Sequence, residues 1–328
     1  MKVVVVGGTG HLGSRAVGSL RRLPGMEVVI ASRRGPTKLD LADPTTFGVL
    51  ADADVVVDLA DATTTAPDAL AAYCLEHGPV LVEATSDREA VERIHRTLAG
   101  REGKGAVVLG AGIFTGLSNL LAASVAREGA RSLQLAIRSS PYSGAGTGTI
   151  ALMIAALRQG ARSFVDGRET LGPAVARGPR FPFPSGEAPS LLVSLAEPWM
   201  IHHATRVPTV HAYLAPQPSW LVPMFLFLPR WLLAMAFFRA ILRGYFTLLR
   251  RWLLRSVSTR VEMVVRCDER VRTLVADDGM GAGGAAIAAI VACLPAPVCG
   301  MKMVDELMTL DQVVAKMKGL PAGGVTIG

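Results

Sequence analysis

The chain opens on four consecutive valines, Val3 to Val6, the continuous β-branched run expected of a strand buried on both faces of a parallel sheet. Gly7-Gly8-Thr9-Gly10-His11-Leu12-Gly13 follows at once, and residues 14–23 then carry Ala16, Val17 and Leu20 on one side of a helix. The alternation repeats. Strands are predicted at 27–31, 39–41, 54–59, 80–84 and 106–109, and helices at 66–77, entered through Pro67, and at 87–99. Strand and helix in turn imply parallel strands joined by right-handed crossovers, hence an α/β domain with a doubly wound parallel sheet over residues 1–131.

The pattern changes after residue 131. A strand at 132–138, a helix at 148–159, a Pro- and Gly-rich loop at 178–189 and strands at 191–195, 202–207 and 257–267 predict a second, α+β domain over 132–280. Its mixed sheet is expected beside the first domain, shaping a substrate pocket. Residues 281–294 are rich in small side chains and suit a closely packed helix. Leu307, Leu310, Val313, Val314 and Met317 predict one last helix over 304–318, so that 281–328 returns to the first domain.

The glycines sit where a strand becomes a helix, and that context gives their spacing a mechanism. Gly7 permits the tight turn, Gly10 lets a pyrophosphate approach the backbone, and Gly13 lets the helix pack on the strand. The helix N-terminus then offers free N–H groups to the anion, with Thr9, His11 and Leu12 filling the turn. The expectation is dinucleotide binding, against the plain alternative of a glycine turn that only packs. An NAD-selective site would place an acid at the end of the second strand; here stand Ser32, Arg33 and Arg34. Two guanidinium groups can embrace a 2′-phosphate, which favours NADP (NADPH), unless the two arginines are merely a solvated loop. Asp40 lies either beside the adenine or in a cap or turn. Ala60 and Asp61 leave the fourth strand where backbone should border the nicotinamide ribose.

Half of the residues are apolar and 19% are charged, which excludes a disordered chain. The net charge of +7 is local: residues 219–272 hold ten Arg against Glu262, Asp268 and Glu269. The rest of the chain is balanced, so a nucleic-acid partner is not expected. Within that stretch an insert at 219–256 crowds Leu, Phe, Met and Trp between arginines. Pro223, Pro229 and the arginines interrupt it too often for a spanning helix. Three readings stay open for it: peripheral contact with an anionic membrane or a lipid-like substrate, a homodimer interface, or an ordinary buried hairpin. Cys74, Cys267, Cys293 and Cys299 form no C-x-x-C pair, and the opening valines are too short for a signal peptide, so a cytoplasmic protein is expected, peripheral at a membrane if the insert meets lipid. No metal motif is present: H-E-x-x-H and Cys/His clusters are absent.

Gly110-Ala111-Gly112-Ile113-Phe114-Thr115-Gly116-Leu117-Ser118-Asn119 resembles the post-sheet turn of the saccharopine dehydrogenase (reductase) family, a Pro-Gly-Leu-Ser-Asn type sequence opening a long helix, with Thr115 in place of the proline. The glycine turn, Asp58-Leu59-Ala60 and Gly144-Ala145-Gly146-Thr147-Gly148-Thr149 extend the resemblance. It implies a Rossmann doubly wound sheet with an inserted substrate domain, and oxidation or reduction of a C–N bond with NAD(P). Where that family has Gly-Pro-Phe after the fourth strand, this chain has Asp61-Ala62-Thr63. A short-chain dehydrogenase dyad is closed, because no tyrosine is followed four residues on by lysine.

Hydride transfer asks the protein to hold nicotinamide near an electrophilic carbon, polarise that carbon and exclude water. Candidates for the acid or base are Glu83 at the fifth strand end, Tyr142 before the Gly-rich segment, and His202 and His203 in the predicted substrate sheet; none has a diagnostic spacing. Two functions remain: an NADP-dependent oxidoreductase acting on a C=N or C=O group of a relatively apolar small molecule, and a non-catalytic NADP-binding sensor or membrane-associated interaction protein.

Overall fold

In a computed structural model, residues 1–61, 65–140, 156, 157, 159–228, 244 and 259–328 are described. They divide into two compact units, Met1–Leu120 with Met280–Gly324, and Leu121–Gly279 with Val325–Gly328. In chain order the first unit begins β1 (Lys2–Val6), α1 (His11–Leu20), β2 (Glu27–Ser32), β3 (Thr37–Lys38), β4 (Val55–Asp58), α2 (Pro67–His77), β5 (Val80–Glu83), α3 (Arg88–Leu98), β6 (Ala106–Leu109) and α4 (Ser118–Ala123), whose last residues enter the second unit. There follow β7 (Ser132–Ser139), β8 (Arg162–Val165), β9 (Arg168–Leu171), β10 (Val175–Phe183), β11 (Gly186–Val193), α5 (Glu197–Thr205), β12 (Thr209–Pro216), α6 (Leu221–Phe227), β13 (Val261–Cys267) and β14 (Arg270–Ala276). The chain then returns through α7 (Gly279–Cys293), β15 (Gly300–Met303), α8 (Val304–Leu307) and α9 (Leu310–Met317), and ends in β16 (Val325–Ile327).

The first unit is the doubly wound parallel sheet that the alternation predicted. Its strand order is β15-β6-β5-β4-β1-β2-β3, with every neighbour parallel. Sequence order reverses between β1 and β4, which creates the switch point where ligands of such sheets bind. Val3 to Val6, Val55 to Val57, Leu81, Val82 and Ala106 to Leu109 are all buried, so the apolar runs reflect a layer covered on both faces. The seventh strand, β15, carries Met301, Lys302 and Met303 and has no apolar run to announce it; pairing with β6 makes it a strand.

β3 lies two residues earlier than predicted. Leu39 to Leu41 turn instead, because Asp40 Oδ1 accepts the Ala42 N–H at 3.0 Å and Pro44 opens a short 3-10 turn. The single predicted helix at 304–318 is two. Gln312 N–H donates to Thr309 Oγ1 and Thr309 N–H to Gln312 Oε1, a reciprocal cap that starts a new helix at Leu310.

The second unit holds a mixed sheet in the order β10-β11-β12-β7-β13-β14-β16, with β8 and β9 appended through β12. Two expectations fail here. The predicted loop at 178–189 is most of the antiparallel β10–β11 hairpin. β10 is an edge strand, where proline is tolerated, and a register shift between Arg177 and Arg180 absorbs Gly178-Pro179. The predicted strand at 202–207 is the end of α5 and its exit. Pro198 starts that helix, Arg206 ends it at φ +60, and Pro208 follows, the arrangement of a helix with a proline at its entry. Most of the predicted helix at 148–159 and most of the 219–256 insert lie outside the described residues.

α7 meets α1 at small residues. A Cβ on Gly284 would lie 2.7 Å from Arg15 C and 2.8 Å from Ala16 N, whereas one on Gly18 of α1 would meet open space. Gly284→Ala should therefore lower the thermal midpoint by several degrees. Gly18→Ala should raise it slightly, by the ~0.5–1 kcal/mol that glycine costs a helix. Calorimetry on the two variants checks both signs.

Candidate functional site

The site is built on the turn between β1 and α1. Gly7 has φ +74, and a Cβ there would stand 2.9 Å from the Leu59 carbonyl carbon and 3.0 Å from Ala60 N. Only glycine lets this turn close onto the chain leaving β4. Gly10 N–H donates to Gly7 O at 2.9 Å, and Ser14 N–H donates to Gly10 O at 2.9 Å to begin the helical ladder. A Cβ on Gly13 would lie 2.8 Å from Gly8 Cα, so the first turn of α1 presses directly on the glycine backbone. Gly10 is extended, no side chain caps the helix, and its first turn contains no acid. Backbone N–H groups at the start of α1 are thus left for an external acceptor, with the helix dipole behind them. Thr9 and His11 are exposed and Leu12 is half-buried beside them. These features fit a pyrophosphate.

β2 delivers the neighbouring chemistry. Ser32 is its last residue, and Arg33 and Arg34 follow in an exposed turn. Asp40, the next acid after them along the chain, is engaged in its own turn with Ala42. On the other side of β1, Ala60 N–H donates to Asp58 Oδ1 at 2.9 Å, and Asp61 O accepts from Thr65 Oγ1 at 3.0 Å. Because β1, β2 and β4 are parallel neighbours, the glycine turn, Ser32 to Arg34 and Ala60-Asp61 share one edge of the sheet.

The acid/base candidates fare differently. Glu83 ends β5 on that same edge but is 3% exposed; its Oε1 accepts Thr85 N–H at 2.8 Å, and among the described residues its Oε2 has no hydrogen-bond partner. Burial, followed by the charge of Asp58, pushes its carboxyl well above the usual range. His202 and His203 belong to the second unit and are helical. His202 stacks on Phe164 at 3.8 Å with Nδ1 2.8 Å from Val207 O, and His203 stacks on Trp199 with Nδ1 2.8 Å from Trp199 O. Both rings are held as packing groups. Tyr142, the segment at 144–149 and residues 62–64 lie outside the described residues.

Three further polar residues gather at this edge of the first unit. Asp58 ends β4, is 2% exposed, and has its carboxyl pushed up to about 6 by burial. Asn119 is buried with both amide atoms unpaired among the described residues. Asp305, just past β15, is part-exposed as a residue, yet both carboxylate oxygens are buried and, among the described residues, without hydrogen-bond partners; burial pushes it up to about 7. No spacing signals any of them, because each is defined by what packs around it. The 110–119 turn carries a further oddity. Thr115 is buried at φ +59, and its hydroxyl, which donates to Phe114 O at 2.6 Å, also reaches Thr85 O at 3.3 Å. Proline, fixed near φ −65°, cannot occupy that backbone.

No family model and no curated protein matches the sequence. Among solved structures, UDP-N-acetylglucosamine 4-epimerase from Bacillus cereus is 24% identical over 27% of this chain, with a TM-score of 0.23, and the chain spans only 36% of that enzyme. Aspartate dehydrogenase from Thermotoga maritima is 13% identical over 91% of this chain and 98% of its own, with a TM-score of 0.45. An engineered D-amino acid dehydrogenase bound to NADP+ is 14% identical over 96% of this chain and 98% of its own, with a TM-score of 0.42.

Asp305 makes a pH prediction. Its folded pKa is raised, so the native state binds more protons than the unfolded chain, and stability falls as pH rises from the ordinary carboxyl range through about 7. Asp305→Asn removes that slope. The variant should gain a few degrees in thermal midpoint over the wild type at pH 8 and little at pH 4, as read by differential scanning calorimetry at both values.

Proposed function

We propose that the chain is an NADP-dependent oxidoreductase of saccharopine dehydrogenase type, transferring hydride to or from a C=N or C=O group of a relatively apolar small molecule. One observation carries the reading: an uncapped, acid-free helix start sits against Gly7, Gly10 and Gly13 at the switch point of a parallel sheet, with two arginines on the adjoining strand end. The residues that would hold the dinucleotide are Gly7, Thr9, Gly10, His11, Leu12 and Gly13 at the pyrophosphate, Ser32, Arg33 and Arg34 at a 2′-phosphate, and Ala60 and Asp61 near the ribose on the nicotinamide side. When bound, the nicotinamide supplies or accepts the hydride. The preference for NADP is supported by the absence of an acid at the end of β2 and by the engagement of Asp40 in its own turn. The saccharopine type is supported by the 110–119 sequence, whose Leu-Ser-Asn opens α4.

A second reading, a non-catalytic NADP sensor, draws on a different observation. Of the acid/base candidates in the described residues, Glu83 is enclosed and both histidines are stacked on aromatic rings. Transfer of deuterium from labelled NADPH to any product rules the sensor out. Stoichiometric binding without consumption across imines, ketones and acyl compounds favours it.

The insert is proposed to lie against an anionic membrane or a lipid-like substrate, in a cytoplasmic protein. Its described part supports this with Trp220 at 52% and Phe227 at 81% exposure, on a segment whose Leu221, Val222 and Phe225 are buried against Leu191 and Val193. A homodimer would cover the same side chains.

Calorimetry should show NADPH binding with one site per chain. Arg33→Ala/Arg34→Ala should weaken it by about 10- to 100-fold, the scale of one or two charge-assisted hydrogen bonds, and leave NADH unchanged. No heat with either coenzyme overturns the proposal. For the insert, the protein should co-sediment with phosphatidylserine vesicles at low salt and less so at high salt. Failure to sediment, with a dimeric mass by light scattering, would favour the subunit interface instead.

A further inference from the structure

Asp58 and Glu83 are the last residues of β4 and β5 and direct register partners in a parallel pair. Their side chains therefore leave the sheet on the same face. That face carries α2, whose buried Cys74 thiol is raised by burial and by the charges of both carboxyls. Each acid accepts one N–H from the loop that follows its own strand: Ala60 for Asp58 at 2.9 Å, Thr85 for Glu83 at 2.8 Å. The β4 loop bears directly on the glycine turn, and the β5 loop on the 110–119 turn and the start of α3. Ala60 belongs to the backbone on which Gly7 closes. The Thr115 hydroxyl reaches Thr85 O, Thr85 Oγ1 accepts Asp87 N–H at 3.1 Å, and Asp87 caps α3 through Ala90 N–H at 2.8 Å.

Two carboxylates on adjoining strand ends, both buried, repel one another unless a cation or a proton intervenes. Among the described residues no ion pair joins a cation to either acid. From α2 comes the neutral Cys74 thiol; from the start of α3 comes Arg88, whose Nε and Nη2 are engaged by Glu92 Oε1 at 2.8 and 2.6 Å; β1 and β6 contribute Val6 and Leu109. Among the described residues Glu83 Oε2 has no hydrogen-bond partner, as an oxygen awaiting a proton would.

We propose that Asp58 and Glu83 hold one proton between them at neutral pH and act together as positioning residues for the dinucleotide, keeping the β4 and β5 loops in the geometry that receives it. In alkali the proton passes to solvent, the pair goes from one negative charge to two, and the loops bearing Ala60 and Thr85 are driven apart. This rests on the reading of the glycine turn as a dinucleotide site.

Titrating the full chain with NADPH between pH 7.5 and 9.5, above the range where the 2′-phosphate changes charge, tests the coupling. The wild-type Kd should rise with pH, by up to about tenfold per unit, the limit for release of a single proton. Glu83→Gln, a neutral isostere, should bind with a flat profile, and Asp58→Asn should do the same. Infrared spectroscopy of the ligand-free Asp305→Asn protein, which lacks the other carboxyl raised to about 7, gives a readout independent of the coenzyme: a protonated-carboxyl C=O band at pH 7.5 that is lost in alkali and is absent once Glu83→Gln is added. No such band, or a band with a pH-independent Kd, overturns the proposal. If the wild type binds no NADPH at any pH, the dinucleotide reading and the positioning role both fail, while the band still decides whether the pair holds a proton.

Discussion

The first unit depends on one close approach of backbone to backbone. The chain leaving β1 turns at Gly7 directly against the chain leaving β4, and α1 settles on that turn through Gly13. Packed interiors leave no room for even one added carbon at such contacts. The two glycines therefore do more than permit a turn. They bring a helix N-terminus, the end of β2 and the exit of β4 to a common edge, and the helix start there has no side-chain cap. An anion is the natural complement of that arrangement.

The same edge carries an unusual amount of unneutralised polarity. Asp58 and Glu83 sit side by side in the buried layer, Asn119 has neither amide atom paired among the described residues, and Asp305 hides both oxygens. Buried polar groups are ordinarily satisfied, and exceptions cost stability. Their collection on the carboxyl ends of β4, β5, β6 and β15, and in the turns that follow, concentrates this cost where open α/β sheets bind ligands. The strained Thr115 belongs to the same region.

Much of the first unit was legible in the letters, for a local reason. Continuous valine runs, the proline before α2 and the Asp87 cap of α3 each declare an element without reference to distant residues. The second unit resisted the same reading. Its β10 strand contains Gly178, Pro179 and Pro182, which signal loop, and becomes a strand because β11 pairs with it and Tyr213 stands where a side chain on Gly178 would go. The Glu197-Pro198 entry of α5 was a legible helix start, overlooked beside the apparent strand composition around Val207. Thr309-x-x-Gln312 likewise signalled the break before α9.

Sequence alone determined the parallel architecture, the glycine turn and the basic end of β2, because these rest on periodicity and on residues adjacent in the chain. Tertiary structure alone decided that Asp58 faces Glu83, that Asp305 is shielded, that His202 and His203 are stacked rings, and that Gly300 to Met303 complete the sheet. Those outcomes are set by which strands lie side by side and which oxygens lose their water, and both are properties of segments far apart along the chain.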